Sequence, residues 1–121
     1  MGVQKRKFLN LKNHLYLNLE MIVFVDLDNT LCITEGTDYK NSKPIIKRIN
    51  HINKYFEEGH SITIYTARGS LSKINYYDLT KSQLDSWGVK YNSLIVGEKP
   101  VYDLLIDDKA LSDKEFFKAV D

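Results

Sequence analysis

A chain of 121 residues that is 43% hydrophobic can bury one modest core, and a net charge of +1 sets up no field that would demand nucleic acid as a partner. No apolar run approaches the roughly 20 residues of a membrane span, and nothing near residue 1 has the order of a signal peptide. Cys32 is the single cysteine, which excludes an internal disulfide and leads to the expectation of a reducing, cytoplasmic setting.

Residues 1–20 carry four basic residues, Lys5, Arg6, Lys7 and Lys12, against Glu20; the remainder has 13 basic and 15 acidic residues. The segment reads as a basic extension ahead of a domain over 21–121. Its Leu15, Leu17 and Leu19 alternate with polar residues, the period of an edge strand. Residues 21–26 are a continuous apolar run with β-branched members, the pattern of a buried strand. Leu31 to Ser42, with Gly36, Asp38 and Asn41, reads as a loop or flap.

A helix is expected to open near Ser42 with Pro44 in its first turn. Ile45, Ile46, Ile49, Ile52, Tyr55 and Phe56 share one face of it, and Gly59 stops it. Ser61 to Tyr65 is a second strand, leading into Thr66-Ala-Arg68-Gly69-Ser70. A second helix spans about Asn75 to Trp87 and ends at Gly88. Strands follow at 93–96 and 101–106, the last running into Asp107-Asp108, and a short helix from about Ser112 closes the chain. Alternating strands and helices predict an α/β fold: a single minimal Rossmann-like domain, its parallel sheet covered by helices on both faces.

The polar residues at the strand ends carry the chemistry. Side chains two apart on an extended backbone lean the same way, so Asp26 and Asp28 face one crevice past the first strand, where open α/β sheets bind ligands. Two close carboxylates repel unless a positive charge joins them, and oxygen ligands suit Mg²⁺. The second strand ends in Thr66 and the fourth in Asp107 and Asp108, while Lys99 precedes the fourth. Parallel strands end on one edge, so topology gathers these groups. Carboxylates for a cation, with a hydroxyl and an ammonium for phosphate oxygens, make a set suited to phosphoryl transfer. Arg68, two residues after Thr66, is a candidate to grip a second anionic group. Asp103 is expected to be a buried hydrogen-bond partner, and His51, His60 and Trp87 to be structural.

With Asp26-Leu-Asp28-Asn-Thr30, Thr66, Lys99 and Asp107-Asp108 in this order, the chain resembles the haloacid dehalogenase superfamily of phosphohydrolases over residues 21–110. The runs Tyr65-Thr-Ala-Arg-Gly69, Gln83-Leu-Asp-Ser-Trp-Gly88, Lys99-Pro-Val-Tyr-Asp103 and Ile106-Asp-Asp-Lys-Ala110 are similar to a small subgroup described as capsule or polysaccharide-biosynthesis phosphatases.

The resemblance implies a Mg²⁺-dependent phosphomonoesterase. Asp26 would be the nucleophile, forming an aspartyl-phosphate, and Asp28 the acid and base. Asp28 would meet the metal through its backbone carbonyl, joined by Asp26, Asp107 and Asp108. Thr66 and Lys99 would bind phosphate. The short gaps after the first and second motifs leave no room for a large cap domain, so an open site is expected, suited to a glycan intermediate or closed by a second subunit. Two rival readings stay open: a phosphatase of nucleotides or nucleic-acid ends, and a domain that binds a phosphorylated ligand without turning it over. A signalling receiver domain is excluded, since no strand between Asp26 and Asp107 ends in Asp.

Overall fold

The computed structural model describes residues 5–8, 16–99, 103–104 and 109–121. In chain order its elements are β1 (Lys5–Phe8), β2 (Tyr16–Leu19), β3 (Ile22–Asp26), β4 (Cys32–Ile33), β5 (Lys43–Pro44), α1 (Ile46–Glu57), β6 (Ser61–Thr66), α2 (Tyr77–Ser86), β7 (Ser93–Val96) and α3 (Asp113–Phe116). The centre is a parallel sheet of order β3-β6-β7. Ile22 lies opposite Ser61 and Asp26 opposite Tyr65, while Thr63 pairs with Ser93 and Thr66 with Val96. This register brings the carboxyl ends of β3, β6 and β7 to one edge.

Alternation along β3 and β6 sends Val25, Ile62 and Ile64 to one face, where they join Ile49 and Ile52 of α1, Leu84 of α2 and Phe117, just past α3, in one buried cluster. Each such side chain withdrawn from water contributes about 1.5–3 kcal/mol. Ile22 and Phe24 point the other way and are more than half exposed. Both crossovers step in the same direction across the sheet, and right-handed connections then lay α1 and α2 on the same side. Among the described residues the helices therefore share one face, where helices on both had been expected.

Several boundaries differ from the sequence reading, each for a local reason. The first helix starts at Ile46, four residues late. Lys43 and Pro44 instead pair antiparallel with Ile33 and Cys32, and a proline, lacking an N–H, is tolerated in so short an edge strand. The Ser42 hydroxyl does not cap the helix; it meets Thr34 Oγ1 at 2.6 Å. Ile46 is half exposed, and Arg48 takes a buried place on the helix beside Ile49 and Ile52. The second helix begins at Tyr77, whose N–H donates to the Asn75 side chain ahead of it.

Leu17 and Leu19 do fall in a strand, while Leu15 lies outside the described residues; among these, β2 pairs with β1 in a separate two-stranded sheet and not with the edge of the parallel one. Asp103 is exposed where a buried partner was expected. The expected strand over 101–106 falls, except for 103 and 104, outside the described residues, as do Asp107 and Asp108. Among the described residues no helix is long and apolar enough to cross a membrane.

Candidate active site

After Asp26 the backbone turns inward. The N–H groups of Thr30 and Leu31 both donate to the Leu27 carbonyl, and Asn29 N–H donates to Cys32 O at 2.7 Å. Asn29 is held at φ 62°, a left-handed conformation in which Asn is among the better tolerated side chains. The turn buries Leu27, Leu31 and Cys32 completely, so burial of alternate residues fixes where Asp26 and Asp28 stand.

Each carboxylate has its own cation. Lys99 Nζ donates to Asp26 Oδ1 at 2.6 Å and Thr30 Oγ1 to Asp26 Oδ2 at 2.8 Å. The Lys99 ammonium also lies over the Tyr65 ring, 4.9 Å from its centroid. Its loop is fastened by Ser70, whose hydroxyl lies 3.0 Å from the Gly97 carbonyl and 2.9 Å from that of Lys99. The expected lysine thus reaches in from its loop and onto Asp26.

Asp28 is bound from every side. Arg68 Nη2 donates to Oδ1 at 2.8 Å and Nε to Oδ2 at 3.0 Å, a fork matched to a carboxylate. Thr34 Oγ1 donates to Oδ1 at 2.6 Å and Thr66 Oγ1 to Oδ2 at 3.1 Å. Burial pushes the Asp28 carboxyl upward in pKa, but the Arg68 and Thr34 hydrogen bonds, the Arg68 charge and the Thr66 bond outweigh it and hold Asp28 below its ordinary value. Cys32, buried beside it, is pushed up by burial first, with the Asp28 charge adding to the rise.

Arg68 occupies a different place from the one expected. Its side chain is fully buried. Nη1 donates to Thr80 Oγ1 and Gln83 Oε1 of α2, Nη2 lies 3.3 Å from Ser42 Oγ, and the guanidinium stacks 4.8 Å from the Tyr39 ring. With these contacts added to Asp28, it is a brace at the centre of the site and does not reach out toward a second anion. Gln83 closes the set by donating to the Tyr39 carbonyl at 2.6 Å.

The structure therefore brings together Asp26, Asp28, Thr66, Arg68 and Lys99, and leaves Asp107 and Asp108 outside the described residues. Sequence reasoning gave no place in the site to Thr34, Ser42, Tyr39, Thr80 or Gln83. Their contributions run from the flap and from α2, and only the fold brings them to Asp28; Gln83 alone stood in a quoted motif. His60, as expected, is structural: its Nδ1 accepts from Met21 N–H at 3.0 Å. His51 packs edge-on to Tyr55, Phe116 and Phe117.

The repulsion that argued for a cation between the two acids is met here by Lys99 and Arg68. Asp28 has too few lone pairs left for a metal as well, since a carboxylate offers about four acceptor sites. Asp26 accepts one described bond at each oxygen and so keeps room for one. Among the described residues no group of three His, Cys, Asp or Glu side chains gathers as a metal site. A hard cation fits this edge only through Asp26 and backbone carbonyls, with any further carboxylates drawn from beyond the described residues.

No family model and no curated protein matches the chain. Among solved structures, the crystal structure of a structural-genomics target protein from Vibrio cholerae is similar, with a TM-score of 0.71 and 30% identity, covering 79% of this chain and 86% of that one.

Proposed function

The chain belongs to one family with that Vibrio cholerae protein, and we propose that it is a Mg²⁺-dependent phosphomonoesterase working through an aspartyl-phosphate on Asp26. The observation that carries this reading is the state of Asp26. It ends a parallel strand with one oxygen held by Lys99 and the other by Thr30, and Thr66 and a second carboxylate stand beside it. The motif order shared with the haloacid dehalogenase superfamily adds to it.

In this scheme an Asp26 oxygen attacks phosphorus and the ester P–O bond breaks, its electron pair leaving on the alcohol oxygen, which takes up a proton from the protonated form of Asp28. Water then gives a proton to the Asp28 carboxylate and attacks the same phosphorus, the P–O bond to Asp26 breaks, and inorganic phosphate departs. Lys99 restrains Asp26 and neutralises the phosphoryl oxygens, and Thr66 donates to one of them. The Asp26 carboxylate and the Asp28 backbone carbonyl, with Asp107 and Asp108, would hold Mg²⁺, which supplies charge neutralisation of the transferring phosphoryl.

Asp28 starts as an anion stabilised by Arg68, Thr34 and Thr66, a poor proton donor as it stands. A phosphoryl group that draws the Thr66 hydroxyl to itself removes one of those stabilising bonds. Losing that bond, the smallest of the lowering causes, lets the Asp28 carboxyl rise, as an acid–base role asks of it. The substrate class favoured is a phosphorylated sugar or glycan intermediate, on the similarity to the polysaccharide-biosynthesis subgroup and the absence of room for a cap domain. The saturated Asp28 favours one other reading, a domain that binds phosphate esters without turnover.

Phosphate release from sugar phosphates, nucleotides and end-phosphorylated oligonucleotides, with Mg²⁺ or with EDTA, decides between them. Release that depends on the metal and disappears in Asp26→Asn is the expected result. Full activity in Asp26→Asn would sink the covalent mechanism, and tight ester binding without release would favour the binding domain.

A further inference from the structure

Beside the site, at the carboxyl ends of β6 and β7, the connection from β6 to α2 encloses an open cleft of about 430 Å³, lined by Gly69, Lys73, Ile74, Tyr76, Tyr77 and Gly97 among others. Among the described residues no carboxylate lines it. Ile74 and Tyr77 are about half exposed, and Tyr76 is steadied edge-on against Tyr39, ring centroids 4.9 Å apart. The volume lies in the range of small-molecule sites, and the wall mixes the apolar and aromatic Ile74, Tyr76 and Tyr77 with the polar Lys73 and Asn75.

The cleft is built rather than left over. A Cβ on Gly69 would lie 2.1 Å from the Ile74 carbonyl oxygen, and one on Gly97 3.2 Å from that of Arg68. Only glycines let the strands of this loop approach so closely. Lys73 N–H donates to Gly69 O at 2.9 Å, and Lys73 is held at φ 64°. Among the described residues the other side chain in that conformation is Asn29, in the turn that carries Asp28. Left-handed backbone at a long side chain is an outlier that clusters at functional sites.

Position relative to Asp26 follows from the sheet. Thr66 pairs with Val96, which also lines the cleft. Strands lie about 4.8 Å apart, so the β7 end sits about 10 Å from that of β3. The alcohol part of an ester whose phosphorus meets Asp26 spans a comparable length.

We propose that this cleft receives the leaving alcohol of the phosphate ester, a hydroxylated ring carrying a second anionic group that pairs with Lys73. The proposal rests on the phosphatase reading of Asp26 and assigns to Lys73 the second-anion role that the burial of Arg68 leaves vacant. The ring lies against Tyr76, Tyr77 and Ile74, and its carboxylate or second phosphate meets the ammonium of Lys73.

The test compares kcat/KM on glucose 1-phosphate, glucuronic acid 1-phosphate and glucose 1,6-bisphosphate for the wild type and Lys73→Gln. The wild type is expected to prefer one of the two doubly anionic esters, and which one identifies the anion. Lys73→Gln is expected to lower that preference about tenfold, the loss of one charge-assisted contact, and to do so through KM. A preference that survives the substitution overturns the subsite while leaving the phosphatase standing. If no ester is hydrolysed, calorimetric binding of the same three compounds decides. Affinity that falls about tenfold in Lys73→Gln keeps the cleft as the anion-pairing part of a binding domain and overturns its leaving-alcohol role together with the phosphatase reading, and affinity indifferent to Lys73 removes the subsite.

Discussion

Arg68 and Asp28 show what one buried ion pair does for the chemistry around it. Arg68 presents its donors to the Asp28 carboxylate, to Thr80 and to Gln83 with no exposed surface of its own, so removing it strands a part-buried carboxylate. Breaking such a pair costs about 3–5 kcal/mol. Asp28 has its folded pKa held down, so its ionisation stabilises the fold above the unfolded value near 3.9, and that stabilisation is lost as pH falls through the folded value. In Arg68→Gln the upward push of burial is no longer opposed by the guanidinium. Acid unfolding followed by circular dichroism is therefore expected to begin at a higher pH than in the wild type, and the acid limb of the pH profile of the proposed phosphatase activity to move the same way. Parallel acid-unfolding curves in the two proteins would show that Asp28 does not depend on Arg68 for its ionisation.

At the scale of the elements, the loop from β6 to α2 serves both Lys99 and the cleft, through Ser70 on one side and Gly69 on the other. Gly69 has φ 83° and faces the Ile74 carbonyl at a distance no Cβ can adopt. Gly69→Ala combines left-handed strain with a backbone collision, a class of defect worth about 1–3 kcal/mol. A chemical denaturation curve is expected to show a loss of that order, together with reduced phosphate release as the Ser70 bond to the Lys99 loop shifts. Unchanged stability would mean that the loop has an alternative path. What was legible in the sequence follows from the same contrast. Strands β3, β6 and β7 are short apolar runs set by burial, and Asp26, Thr66 and Lys99 could be read because strand ends and motif order locate them. The pairing of Lys43–Pro44 with Cys32–Ile33 and the use of Ser42 inside the site were not legible. Local signals there, a serine followed by a proline, are those of a helix start, and a tertiary partner, Thr34, overrode them. Arg68 was singled out for a second anionic group, whereas in the fold it meets Asp28, and its burial depends on Thr80 and Gln83, which no spacing rule ties to it.

For the whole molecule, Arg48 links Asp113 and Asp121 to the turn between Asp26 and Cys32. Its Nη1 donates to the Thr30 carbonyl at 3.0 Å and to Asp113 at 2.9 Å, its Nε and Nη2 hold both oxygens of Asp121, and its guanidinium lies 4.7 Å from the centre of the Phe117 ring. Thr30 in turn donates its hydroxyl to Asp26. The Arg48 hydrogen bond is the leading cause that holds the Asp121 carboxyl below its ordinary pKa, and Asp121 raises that of Arg48 in return. By the same sign, any stabilisation that Asp121 adds is present at neutral pH and fades as the solution is acidified. Arg48 stands among α1 residues that pack on Phe117, so Arg48→Met keeps much of the apolar stem and removes only the polar bridge. Charged hydrogen bonds contribute about 1.5–3 kcal/mol each where they are shielded from water. The bonds to half-buried Asp113 and exposed Asp121 are screened by solvent and add far less, so the bond to the Thr30 carbonyl dominates. Arg48→Met is expected to lower the melting temperature by several degrees and to depress kcat more than KM, because the turn under Asp26 loses a support that substrate binding does not use. Asp121→Asn, which leaves the Thr30 bond in place, is expected to change the melting temperature little and kcat less. If the two variants lower kcat equally, the support runs through the chain terminus and not through the Thr30 carbonyl.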